Sequence, residues 1–164
     1  ADVKWKLSRD SSLTYGQVRL SDYSARCCAP EGSLSFAAVH GDTPLYSGRH
    51  AWRVTVGPGS WQCGVIMDIP EVLRAPELVG VGSWWGGPFN LPTRLEPGDT
   101  LDFMLDATNG ILRVVGRHKL GWPPKKQEFR LPRGKAWRPR FELNSRDAEV
   151  KFRQISALEF DYSW

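Results

Sequence analysis

Cysteine, histidine and methionine are scarce in this 164-residue chain, which holds three, three and two of them. Three cysteines, two of them the adjacent pair Cys27-Cys28, do not make a disulfide framework. An odd, unspaced count suits a reducing compartment, and Cys63 reads as a small buried hydrophobe. The histidines give no His-x-x-x-His, and neither Cys-x-x-Cys nor a carboxylate–histidine cluster occurs at ligand spacing, so no metal and no cofactor is expected. His40 lies beside a turn, His50 reads as a packed, hydrogen-bonded residue at a strand entry, and His118 reads as solvated in a basic loop. No serine stands in a Gly-x-Ser-x-Gly elbow. Gly80-Val81-Gly82-Ser83 starts like a phosphate-binding loop but lacks the third glycine and a following helix. Asp99 belongs to a turn, while Asp102 and Asp106 are spaced for the outer face of one strand. With these patterns missing, no enzymatic activity is expected. No apolar run approaches the roughly 18–20 residues that span a bilayer, and the first residues lack a leader pattern. There is no Asn-x-Ser/Thr sequon. An intracellular domain, cytoplasmic or nuclear, with no membrane part is expected.

What is plentiful is punctuation and aromatic bulk. Sixteen Gly and twelve Pro cut the chain into short segments, and eight Trp with seven Phe supply the volume that packs two layers together. A chain of this length buries roughly 70% of its unfolded surface in one core, so a single domain is expected. After a lead-in anchored by Trp5, Leu13–Leu20, Ala25–Ala29 and Ser33–Val39 read as short strands. Trp52 to Val56 and Trp61 to Met67 alternate with period two about Gly57-Pro58-Gly59-Ser60, which reads as a β-hairpin with a Trp entering each arm. Glu71-Val72-Leu73-Arg74 amounts to one helical turn at most, and Leu78–Val81 is a strand. Thr100 to Asp106 turns Leu101, Phe103 and Leu105 inward, and Thr108-Asn109-Gly110 returns it to Ile111–Val115, Asn-Gly being the pair that tolerates positive φ. Leu120 to Pro124 is too rich in proline for a central strand. Phe141-Glu142-Leu143 pairs through the turn 144–147 with Ala148–Phe152, and Ile155 to Trp164 is a final strand or packed tail. Trp52, Trp61, Phe103 and Phe141 are the expected core. About ten to thirteen short strands without a convincing helix predict an all-β antiparallel sandwich.

Ser47-Gly48-Arg49-His50-Ala51-Trp52, followed by Trp61-Gln62-Cys63-Gly64-Val65, resembles the central signature of the SPRY domain family. Its usual form is Ser-Gly-x-His-aromatic-Trp and then Trp-x-x-Gly-Val, and Ala51 replaces the usual aromatic. Gly98-Asp99-Thr100-Leu101-Asp102 through Asp106, with Gly110-Ile111-Leu112, is similar to the family's next hairpin. Leu120-Gly121-Trp122, Trp137-Arg138-Pro139 and Ala148-Glu149-Val150 resemble its later steps, in the right order. The family's Asn-Gly is absent where Val115-Gly116-Arg117 stands. The resemblance implies a bent, concanavalin-like β-sandwich over residues 1–164, with 1–32 divergent, 33–153 matching and 154–164 a closing strand or tail. It also implies a monomeric, non-catalytic module that binds a protein or short peptide through loops at one end of the sandwich. Such modules serve as the partner- or substrate-selecting part of ubiquitin ligases and scaffolds.

Carried over by position, the loop opened by Asp68, the Trp84-Trp85 segment and the turn Asn144-Ser145-Arg146 resemble the family's binding surface. Trp84 and Trp85, with Phe89 beside them, are the expected apolar anchors, since exposed aromatics bury much area at small entropic cost. Asp68 would meet a donor or cation, and Asn144 and Arg146 would hold a ligand backbone or acidic side chain. Charge marks a second region. From Arg113 to Arg140 ten Lys and Arg face one acid, Glu128, although the whole chain carries only +4. A solvated sheet edge explains this most simply. The alternative is a patch for nucleic acid or an acidic ligand, centred on Lys119, Lys125, Lys126, Arg133 and Lys135, with Trp122, Phe129 and Trp137 available for stacking.

Overall fold

The computed structural model describes residues 4–9, 17–21, 24–28, 37–69, 78–83, 95–121 and 123–164. The expected helical turn at 71–74, Trp122 and the Trp84-Trp85 segment with Phe89 lie outside the described residues, as do parts of the first strands. The strands are β1 (Leu7–Arg9), β2 (Gln17–Ser21), β3 (Ser24–Cys28), β4 (Ala37–Gly41), β5 (Arg49–Val56) and β6 (Trp61–Met67). There follow β7 (Val79–Gly82), β8 (Thr100–Asp106), β9 (Ile111–Arg117), β10 (Lys125–Arg130), β11 (Trp137–Leu143) and β12 (Glu149–Ile155), and then one helix, α1 (Ala157–Ser163). They form a five-stranded sheet, β1-β4-β11-β6-β7, and a seven-stranded sheet, β10-β9-β8-β5-β12-β3-β2, each antiparallel throughout. This is the all-β sandwich that the short alternating segments predict.

The core lies between the sheets. Trp52, Val54, Leu101, Phe103, Leu105 and Val114 come from the large sheet, and Val39, Trp61, Cys63, Val65, Phe141 and Leu143 come from the small one. Trp52 lies parallel to Phe103 at 5.4 Å and takes the edge of Trp5 at 5.8 Å, while Trp5 stacks on Phe152 at 4.6 Å. All four expected core aromatics are buried, and the lead-in is anchored by Trp5.

Two expected hairpins turn out to be bridges between the sheets. β5 pairs with β8 and β12, whereas β6 pairs with β11 and β7, so Gly57-Pro58-Gly59-Ser60 carries the chain from one layer to the other. The turn 144–147 does the same between β11 and β12. The two connectors lean on each other. Gly57 donates its N–H to Glu149 O at 2.9 Å, Glu149 N–H to Pro58 O at 3.1 Å, and Asn144 N–H to Ser60 O at 2.8 Å. Gly59 has φ +86, and a Cβ there would fall 2.5 Å from Ala148 Cα. Period two says which side chains face inward but not which sheet receives the strand, and Trp52 and Trp61 both face inward from opposite layers. The Asn109-Gly110 hairpin between β8 and β9 forms as expected, with Asp106 opposite Ile111.

The end of the chain departs from expectation too. In place of a strand or tail, Ser156 caps α1 by accepting Glu159 N–H at 3.0 Å, and Phe160 is driven into a second cluster with Ala51, Met104, Val115 and Ile155 on the outer face of the large sheet. α1 also covers Asp102, which lies on the outer face of β8 as its spacing predicts. Its carboxylate is wholly buried, held by Arg53 at 2.7 and 3.0 Å and by the Ser163 hydroxyl at 3.2 Å.

Candidate functional site

The inter-sheet connectors gather at the end of the sandwich where β6 begins and β11 ends. Leu143 is paired with Trp61 and Gly82 with Gln62, so Ser60, Ser83 and Asn144 come together from three separate parts of the chain. Ser60 N–H donates to Ser145 Oγ at 3.0 Å, and Ser145 Oγ donates to Asp147 at 3.1 Å. Trp61 N–H donates to Ser83 Oγ at 2.9 Å, and Ser83 N–H returns to Trp61 O at 3.0 Å. An open cavity of about 690 Å³ lies along this rim, lined by Gly57 to Trp61, Ser83 and Leu95 to Pro97. Glu96, a mostly exposed acid that sequence reasoning assigned only to a turn, stands at its edge. Asn144 is half-buried and Arg146 exposed on the adjoining connector.

The structure does not bring Asp68 to this rim. Asp68 follows the far end of β6, about 20 Å away at about 3.3 Å per residue. There it accepts from Arg138 Nε at 3.0 Å, and Arg138 also donates to Gly41 O at 2.9 Å. Trp84 follows Ser83 in sequence, but Trp84, Trp85 and Phe89 are outside the described residues.

Of the basic residues, Lys125 and Lys126 are exposed on β10, an edge strand of the large sheet. Exposed Lys119 precedes that strand, and exposed Arg133 and Lys135 follow it. Arg138 and Arg140 do not join them. Arg140 is almost fully buried, its Nε donating to Glu142 at 3.2 Å. Trp137 is also buried, and Phe129 packs against the core, so neither offers a stacking face to a base.

His118, expected in solvent, is buried. Its ring lies 3.8 Å from Asp99 and 3.9 Å from Glu96, and its Nδ1 accepts Leu120 N–H at 3.1 Å. The reason is that Asp99 ties two turns together, accepting Glu96 N–H and Lys119 N–H at 2.8 Å each. His50 is held as expected, against Ser47 O at 2.7 Å. Burial, and behind it the charge of Glu142, pushes the Cys63 thiol well above its ordinary range, so that side chain offers no thiolate. Among the described residues no three His, Cys, Asp or Glu side chains converge as metal ligands would.

No protein-family model matches the chain, and no curated protein does. Solved structures do. The SPRY domain of human HERC1 superimposes with a TM-score of 0.63 at 14% identity, over 91% of this chain and 99% of that one. The TRIM65 PSpry domain gives 0.59 at 15% identity, over 90% and 92%. Stonustoxin gives 0.62 at 18% identity over 90% of this chain, which spans only 27% of the toxin chain. The fold of this chain is the SPRY β-sandwich.

Proposed function

We propose that residues 1–164 form one non-catalytic protein-interaction module, which recognises a short peptide or protein surface through its rim loops and selects partners or substrates for a larger protein such as a ubiquitin ligase or scaffold. The observation that carries this reading is the cavity along Gly57–Trp61, Ser83 and Leu95–Pro97. Its size suits a few side chains of an extended peptide. Ser83 leads in sequence into Trp84 and Trp85, which with Phe89 are the proposed anchors, and central anchors of this kind contribute about 2 kcal/mol or more each. Asn144 and Arg146, on the adjoining connector, are the proposed donors and Glu96, in the cavity lining, the proposed acceptor, so the ligand is expected to carry a cation near Glu96. Asp68, held by Arg138 at the opposite end, is left out of this groove. The fold shared with SPRY domains supports the reading without specifying the ligand.

Selection from a displayed random-peptide library, repeated with Trp85→Ala and with Asn144→Ala plus Arg146→Ala, tests it. Wild type should enrich a shared motif that both variants lose, while their thermal melts stay within about 2–4 °C of wild type. A motif enriched equally by all three proteins would remove the rim from consideration.

A further inference from the structure

We infer that the outer edge of β10 is a second docking site, separate from the rim, which takes an extended acidic peptide as an added antiparallel strand. Leu131 N–H donates to Gly110 O at 2.8 Å, which fixes the direction of the strand's backbone. Hydrogen-bonding direction alternates along a strand, so Phe129, Gln127 and Lys125 point their N–H and C=O toward β9, while Lys126, Glu128 and Arg130 point theirs away. Among the described residues no backbone group bonds to that outer side. Pro124 and Pro132 would be the next outward donors and have none, so the free ladder is limited to three residues.

Side-chain charge selects what can pair there. Lys126 and Arg130 are both exposed and flank Glu128, which Arg113 holds at 2.9 Å and Arg130 at 3.4 Å. Lys126 also reaches the Trp164 ring and carbonyl, and turns from them to meet the peptide. Lys125 adds a cation on the other face, and Lys119, Arg133 and Lys135 extend the charge past both ends. Lysine-rich edges repel ordinary strands, and the same cations favour one with acids opposite Lys126 and Arg130 and a neutral residue opposite Glu128. A second copy of this chain does not fit. In full register it sets Glu128 against Glu128 and Lys126 against Arg130, and a two-residue shift sets Pro124 or Pro132 against the ladder. Nucleic acid fits less well than peptide, because Trp137 and Phe129 are turned into the core.

The probe is the peptide Val-Glu-Val-Thr-Val-Glu-Val, labelled with fluorescein and titrated against the domain. Binding should saturate, slow amide exchange at Lys126, Glu128 and Arg130, and weaken about tenfold in Lys126→Ser plus Arg130→Ser. N-methylation of the central threonine, whose N–H faces β10, should abolish binding, and N-methylation of the neighbouring valine should leave it. Equal binding by both methylated peptides would reduce the contact to charge alone and overturn the proposal. So would unchanged exchange at the three amides, or tighter binding of oligouridylate that leaves those amides unprotected.

Discussion

Trp52 lies flat on Phe103 and takes the edge of Trp5, so truncating it leaves these two aromatic neighbours around a void. Trp52→Ala should lower stability by about 3–5 kcal/mol, seen as a shifted urea midpoint at unchanged slope. Glu128 gives a pH-dependent counterpart at the surface. The hydrogen bond from Arg113, then the nearby charge of Arg130, holds its carboxyl below its ordinary value of 4.5. A lowered folded pKa means the stabilisation is present above the ordinary value and fades as pH falls through the lowered one. NMR titration should find the Glu128 midpoint below 4.5, and Arg113→Gln should raise it. At this scale the sequence showed which rings are core. It did not show that His118 is buried, because its cover comes from a turn some twenty residues earlier in the chain.

At the scale of elements, α1 is the one helix among the described residues, and it is tied down at several points. Phe160 is buried beneath it, Asp161 pairs with Arg49, and the rings and carbonyl at its end meet Arg113 and Lys126. Phe160→Ala should cost about 3–5 kcal/mol and Ser156→Ala about 0.5–2 kcal/mol, both measured by denaturant unfolding. Unchanged midpoints would mean that the helix contributes nothing to the fold. Ser156 and Glu159 are spaced as a helix start, but seven residues are too few to show a helical hydrophobic period, so the stretch reads as a strand or tail and α1 was not legible in the sequence. The β8–β9 hairpin was legible for a local reason, the Asn-Gly turn. The two connectors were not. A Gly- and Ser-rich turn between alternating segments looks the same whether it folds a hairpin or crosses between layers. The rim at Ser60, Ser83 and Asn144 was half-legible: the Asn144 turn was singled out, but Glu96, which lines the cavity with Gly57–Trp61 and Ser83, required the β5–β8 pairing to place it.

For the whole molecule, spatial neighbours are distant in sequence. β4 sits between β1 and β11, and β12 between β5 and β3. Topologies dominated by such pairings fold slowly, so stopped-flow refolding followed by tryptophan fluorescence should have its main phase in the millisecond-to-second range. A microsecond main phase would be incompatible with this strand order. The position of β12 also bears on how a cell makes the domain. β5 gains its β12 neighbour only after the intervening chain has been synthesised, at about 5–20 residues per second, which leaves one flank of β5 unoccupied for roughly 5–20 s on the ribosome. During that interval the nascent chain presents a hydrophobic strand with an unmet ladder, the kind of segment that chaperones hold, so output from translation should depend on them more than the stability of the finished domain would indicate.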